Sequence, residues 1–456
     1  MTNSSRLQIA VNVQVEEAAS LFPLEHSLKK SDVFQSILVF GLCAVLMFAV
    51  LAFGAVYEWS IFALEAATLM LFLIWMAQQL WWNEIRISRN PLYLPASLFA
   101  VVILVQVLLH RTAYWYITKY EAGQYVAYGI AFLVAGECVR SEQTRKRFAQ
   151  IMIAFGVFYA FFAIVQELTF NGKIFWFHSP QSHSSSIYGS YVNRDHYAGL
   201  MEMLVPIPLV LSFGRVLKGG QRALLIFCTV LMASTLFLSG SRAGMIAFVI
   251  EVVAFAFLAF RTRRNPRALF GLTAMCVCVL AFLVFVGKEH VLFRLGDLQP
   301  GIRLQMTKDS LRMFLQRPVL GWGLGAFPTV YPAYRSFYTN LFVNEAHNDY
   351  AQLLVETGLA GFGLMLWFLF RLYQCGLPTS RRWEFKWDGA LSLAALIGCT
   401  GILFHSLVDF NLQIPANATV FYVLCALAAS EFAPGSSRSR ASRGATTAEE
   451  NSVSLK

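Results

Sequence analysis

Asn344-Glu345-Ala346-His347-Asn348-Asp349-Tyr350 closes a polar excursion and runs directly into an apolar stretch centred near Leu364 that is long enough to cross a bilayer. That junction sets the terms of the fold. A helix crossing a hydrocarbon core needs about 20 predominantly apolar residues, and runs of this kind recur along the chain. They centre near Ala44, Thr68, Val102, Gly129, Phe158, Pro206, Val230, Val252, Val277, Leu364, Ala394 and Val423, giving about twelve spans. With 57% hydrophobic, 15% aromatic and 14% charged residues the chain is too apolar for a soluble domain. In lipid every spanning backbone must satisfy its own hydrogen bonds. The expected fold is therefore an all-α polytopic membrane protein with a partly helical outer loop.

Lys and Arg orient it. If the N-terminus is cytoplasmic, five short inner loops hold seventeen basic residues, among them Arg140, Arg145, Lys146 and Arg147, and Arg371, Arg381, Arg382 and Lys386. The short outer loops hold only Arg111, Lys119, Lys173, Arg194 and Arg242. This follows the positive-inside rule with both termini cytoplasmic. The net charge of +10 is then a topology signal, and nucleic acid is not an expected partner.

The expected organisation is a cytoplasmic N-terminal segment (1–35), nine spans (36–287), an outer loop (288–346), three spans (347–432) and a disordered cytoplasmic tail (433–456). The first segment lacks the basic start and short apolar run of a cleaved signal. All eight cysteines fall in spans or on the inner side, which argues against disulfides and a cysteine metal site.

The outer loop is long enough to be functional. It has helical character over Ile302–Gln316, stops at Arg317-Pro318, and continues through Gly321-Trp322-Gly323-Leu324-Gly325, glycines that allow a close backbone approach to a ligand or simply a tight turn. ATP and nucleotide sugars are cytoplasmic, so an outward-facing transferase needs a pre-activated donor carried across, such as a lipid diphosphate. A site for one needs cations that stay charged near lipid, a base and a greasy groove. Arg binds phosphate oxygens bidentately and does not deprotonate. Arg242, in Ser239-Gly240-Ser241-Arg242-Ala243-Gly244, ends an apolar span with small residues around it; the alternative is snorkelling to the headgroups, which an arginine on the outer side, against the charge bias, favours less. Arg294, Arg303, Lys308 and Arg312 are the loop's other cations. On one helix Arg303 and Arg312 stand about 180° apart and cannot both face one site.

His347 is the candidate base, largely neutral at pH 7; Asn348 and Asp349 can instead cap the following helix. Asn193-Arg194-Asp195-His196 and His405-Ser406-Leu407-Val408-Asp409-Phe410-Asn411 also gather polar groups at the membrane edge, for a site or for structural pairing. Among the carboxylates within spans (Glu65, Glu202, Glu251), Glu202 is the one to test. His183, His196, His347 and His405 form no His-x-x-x-His pair, so no metal is expected.

These segments resemble a family. His347-Asn348, nine residues, Gly358, two residues and Gly361 are similar to the signature of O-antigen ligases and the wider ligase and polymerase superfamily. Arg317-Pro318-Val319-Leu320-Gly321-Trp322-Gly323-Leu324-Gly325 resembles its Pro-Leu-Leu-Gly-x-Gly segment; Ser239–Gly244 resembles its Ser-Arg motif, and Asn193–His196 its Asn-Arg-Asn-His segment. The likeness covers roughly Ser190 to Ala416. It implies a metal-independent, inverting glycosyltransferase of the membrane type C class, without a cofactor, moving a glycan from undecaprenyl diphosphate to lipid A–core or to a growing polysaccharide at the periplasmic face of the bacterial inner membrane. Carried over, His347 takes the place of the acceptor-activating His, Arg242 that of the diphosphate-binding Arg, and Arg303 is chosen as the second Arg. Glu345 stands where many relatives have another His, and is expected to orient His347 or raise its pKa; Asp195 replaces the commoner Asn. Ligase and polymerase differ only in acceptor. A lipid-linked glycan transporter is the rival of another class, but it would be expected to show internal repeats.

Overall fold

The computed structural model describes residues 33–83, 85, 87–180, 187–217, 219–262, 301–339 and 342–430. The expected span near Val277, His183, Arg294, Cys276, Cys278, most of the N-terminal segment and the tail lie outside them. The described chain is helical throughout, with no strand.

Twelve helices carry the architecture: α1 Val33–Leu51, α2 Glu58–Trp81, α3 Tyr93–Leu108, α4 Trp115–Cys138, α5 Glu142–Leu168, α6 Arg194–Phe213, α7 Gly219–Leu238, α8 Arg242–Thr262, α9 Gly301–Gln316, α10 Asp349–Ser380, α11 Trp387–His405 and α12 Pro415–Ala429. Eight of them (α1, α2, α5 to α8, α10 and α11) are long and apolar enough to cross a membrane. The sequence count of about twelve is larger because it includes α3 and α12, of 16 and 15 residues, and α4, which carries Lys119, Glu121 and Gln124. The remaining member, near Val277, is not described.

Two classes of helix emerge. Almost all of α6 and α11 is buried, whereas α2, α8 and α10 have faces bearing exposed Phe62, Ile246, Val253 and Phe370. The first pair forms the centre, and the others present apolar side chains outward, as helices do when lipid is the solvent. α6 is broken at Val205-Pro206, where Pro206 and Pro208 supply no N–H to the preceding turn. A polar first half, Arg194–Leu204, is thereby joined to an apolar second half, Pro206–Phe213.

At one end of the bundle buried Arg145 donates to the carbonyls of Asp388 (3.1 Å) and Ser430 (3.2 Å), tying α5 to the start of α11 and the end of α12. At the other end α6, α8, α10 and α12 begin and α11 finishes. The sequence-predicted site residues gather there. α9 and the chain after it form a small separate core over that end, built from Met306, Met313, Phe327, Tyr331, Ala346 and Val355.

Candidate functional site

His347 occupies the last residues before α10. Its φ of 50° is in the left-handed region, uncommon for a side chain other than Gly, Asn, Asp or His. Flanking bonds hold it there: Ala346 N–H donates to Gln352 Oε1 (2.9 Å), Asn348 Nδ2 to the Leu407 carbonyl (2.9 Å), and Asp349 N–H to the Ser406 carbonyl (3.0 Å). Asn348 is the N-cap of α10, its Oδ1 accepting from Ala351 N–H at 3.0 Å. Such caps contribute about 1 kcal/mol. Here the cap also fixes the direction of the residue before it.

The imidazole of His347 lies edge-on to Phe410, with centroids 4.8 Å apart, and its Nδ1 is 3.3 Å from Asp409 Oδ1. With Nδ1–H donated to a carboxylate, the neutral tautomer carries its lone pair on Nε2, free to accept a proton. Asp409 is completely buried. Burial alone would push its carboxyl up, but the His347 hydrogen bond, the Arg303 guanidinium and the nearby imidazoles of His196 and His405 outweigh this and hold it well below the usual carboxylate range.

Arg303 is the cation of this group. From the first turn of α9 its Nη1 donates to the Val408 carbonyl (2.8 Å), and its Nη2 lies 3.7 Å from Asp195 Oδ2 and 3.8 Å from Asp409 Oδ2. Its side chain remains 41% exposed. Arg312 is on the opposite face of α9, 64% exposed and paired with Asp309 at 3.1 Å. Asp309 also accepts from Ser336 N–H and Oγ (both 3.0 Å), fastening α9 to the following loop and setting the direction of Arg303. Lys308 is exposed.

Arg242 opens α8 and is half-buried. Its neighbour Ser241 is in hydrogen-bond contact with Asp195, and Gly244 packs on Ala198 and Glu202. The Ser-Arg motif thus abuts the Asp195 end of α6. Asn193 caps α6, accepting from Asp195 N–H at 3.0 Å, and so aims Asp195 at Arg303. Arg194 lies in the first turn of α6. His196 is buried edge-on against Phe410, and its carbonyl accepts from Asn417 of α12 (2.9 Å). His405 Nδ1 meets Glu202 Oε1 at 2.7 Å and its Nε2 is 3.9 Å from Asp409 Oδ2.

Asp195, His405 and Asp409 place ligand atoms within 4.8 Å of one another, a spacing open to a metal. Arg303 already stands between the two carboxylates as their counter-charge. A divalent ion there would have to displace it.

The position expected to orient His347 does something else. Glu345 is half-buried with its carboxyl turned onto Gln352 Nε2, and Asp409 takes the expected role. Gln352 also approaches Glu356 Oε1 (3.4 Å), and that oxygen accepts from Phe327 N–H (3.3 Å). The reason is geometric: the turn at His347 sends residue 345 to the far side of α10.

The spacing from His347-Asn348 to Gly358 also has a physical basis. Gly358, at φ 62° and ψ −164°, interrupts α10. The strap Pro318–Gly323 fills the interruption: Leu359 N–H donates to the Pro318 carbonyl (2.8 Å), Ala360 N–H to Val319 (3.1 Å), Trp322 N–H to Val355 O (2.9 Å) and Gly323 N–H to Glu356 O (2.9 Å). Gly321 and Gly323 have positive φ and lie against the Glu356–Thr357 backbone and Thr112, so the glycine run serves backbone packing and tight turning. Gln106 of α3 completes the joint, donating to the Leu320 and Glu356 carbonyls (2.6 and 2.8 Å). Gln106, Glu356 and Asn417 do not stand out in the sequence; their only signal is a polar residue within or beside an apolar run.

No curated protein matches the chain at a significant level. Residues 227–366 match the family model described as O-antigen ligase (Wzy_C). The match takes in Arg242, Arg303, His347, Gly358 and Gly361, while Asp195, His405 and Asp409, which complete the cluster in space, lie outside it. With His347, Arg303 and the strapped helix all falling within that stretch, residues 227–366 of the chain are similar to the O-antigen ligase family.

Proposed function

We propose that this protein is a metal-independent, inverting glycosyltransferase of the membrane type C class that moves a glycan from undecaprenyl diphosphate to an acceptor hydroxyl, lipid A–core in the ligase reading. The observation that carries this is Asp409, whose two oxygens address the candidate base His347 and the candidate diphosphate cation Arg303. The acceptor oxygen attacks the anomeric carbon. The bond from that carbon to the diphosphate oxygen breaks, its electron pair leaves with the diphosphate, and the hydroxyl proton passes to His347 Nε2. Arg303 and Arg242 take up the negative charge of the leaving group, an effect worth a few kcal/mol per well-placed donor. Asp409 holds the tautomer and stabilises the imidazolium formed. The site faces the periplasm of a bacterial inner membrane with both termini cytoplasmic, where the polyprenyl carrier presents its glycan.

The test is transfer by purified protein in lipid, in EDTA, from an undecaprenyl-diphosphate oligosaccharide with lipid A–core present or absent, and with His347→Ala as control. Product on lipid A–core establishes the ligase. Longer chains on the carrier alone make it a polymerase. No product from any donor overturns the transferase and restores the transporter.

A further inference from the structure

Behind the His347–Asp409 pair stands a second imidazole–carboxylate pair that the proposed reaction does not use. His405 and Glu202 both have fully buried side chains and meet at 2.7 Å, the separation of a charge-assisted hydrogen bond. The other nitrogen of His405 points at Asp409 Oδ2 across 3.9 Å, beyond hydrogen-bond reach. His405 Nε2 and Asp409 Oδ2 are both buried with no hydrogen-bond partner among the described residues. A donor and an acceptor therefore face each other, both unsatisfied, across a gap that a movement of about 1 Å would close.

We propose that His405, held as a cation by Glu202, is a positioning residue that takes over as the counter-charge of Asp409 when Arg303 turns to the donor diphosphate. The inference rests on the transferase reading. In the ligand-free arrangement Arg303 serves Asp195 and Asp409 at once. A diphosphate draws that guanidinium away, leaving Asp409 as a buried carboxylate supported only on Oδ1, by His347 and the Phe410 N–H (2.9 Å), with no counter-charge on Oδ2, and an unpaired buried charge is costly. The groups around His405 are Asp195, His196 and Glu202 on α6, Glu251 of α8 against Gly401, Arg303 of α9, and Asp409 in its own loop. Of the two imidazoles at the back of Asp409, His196 has no carboxylate on its ring in the described structure and packs on Phe410; His405 has Glu202. The charge on His405 keeps Asp409 anionic and the His347 ring in place through turnover.

The experiment compares wild type, Glu202→Gln and His405→Gln in lipid. Both variants should lower kcat about 10–100-fold with KM for the lipid diphosphate unchanged. They should also move the acid limb of the kcat profile to higher pH, because loss of the positive charge behind Asp409 makes His347 easier to protonate. A role in packing alone would lower activity in step with folded protein and leave the limb in place. Ring-15N-histidine spectra of the wild type need neither turnover nor a stable variant: His405 should be doubly protonated at neutral pH. A neutral His405, or variants with wild-type kcat and pH profile, overturns the inference. Absence of wild-type transfer with His405 doubly protonated would sink the transferase reading and leave the buried charge standing.

Discussion

Two polar clusters meet the start of α10, and their electrostatics are opposite. Around His347, the Asp195 and Asp409 carboxylates are matched by Arg303 and by imidazoles. Around Glu345 there are Glu356 and Glu121, with the amides of Gln352 and Gln124 and backbone N–H groups as their partners and no cation among those named for them. Asp409 is consequently held far below the normal range, while burial and then the neighbouring carboxylates push Glu345 well above it, despite its hydrogen bond from Gln352. Both carboxyls are turned away from water, so burial does not separate them. Matched cations do, and they mark the cluster equipped for charged chemistry, whereas the other clamps the strap to α10.

The largest effect should come from the matched cluster. His347→Ala is expected to reduce glycan transfer about 10²–10⁴-fold while the protein still inserts and stays monodisperse; a variant with normal transfer would remove the base. Next, Arg303→Ala and Arg242→Ala should each cost about 10²–10³-fold in transfer, whereas Arg312→Ala, on the other face of α9, should leave transfer unchanged and stability within about 0.5 kcal/mol. Equal losses for Arg303 and Arg312 would mean that the face of α9 carries no information.

The unmatched cluster should answer in stability. A Cβ at Gly358 would lie 2.4 Å from the Val319 carbonyl oxygen, and its backbone angles are nearly exclusive to glycine. Gly358→Ala should therefore lower stability by at least about 1–3 kcal/mol, read in a thermal or denaturant unfolding scan. At Glu345 the effect is one of pH. Its raised carboxyl contributes stability that is complete below about pH 4.3 and is lost as pH rises toward the folded-state value, because the unfolded chain releases the proton first. Glu345→Gln should flatten that decline, by up to ~1.4 kcal/mol per pH unit. An unchanged slope would show that folding does not raise the Glu345 carboxyl.

Much of this was legible in the chain. Apolar run length located the centre of every described long helix except α9, because the bilayer sets that length. The stop at Arg317-Pro318 and the 180° separation of Arg303 and Arg312 followed from proline chemistry and helix geometry. What could not be read was pairing at a distance. Asp409 and His347 are 62 residues apart, and no local pattern says that Asp409 rather than Glu345 takes the imidazole. The φ of His347 decides that, and it is set by contacts to Ser406 and Leu407 from another helix end. The glycine motif likewise left a ligand loop and a tight turn both open, because its true partner, the interruption at Gly358, is a backbone conformation that leaves only a glycine in the sequence.

The laced joint between the strap and α10 also works as a depth gauge. Ten residues of helix at 1.5 Å each put Gly358 about 15 Å along α10 from His347, half the thickness of a typical hydrocarbon core. Irregular backbone is tolerated at such depth only where protein surrounds it. Here the interrupted helix and Gln106 supply the missing partners, so Pro318–Gly323 is a plug in the interruption, its distance from His347 measured off α10 itself. One residue added between Asn348 and Gly358 would turn the imidazole by about 100° while leaving the plug where it is, which makes the nine-residue interval a ruler cut to a single length.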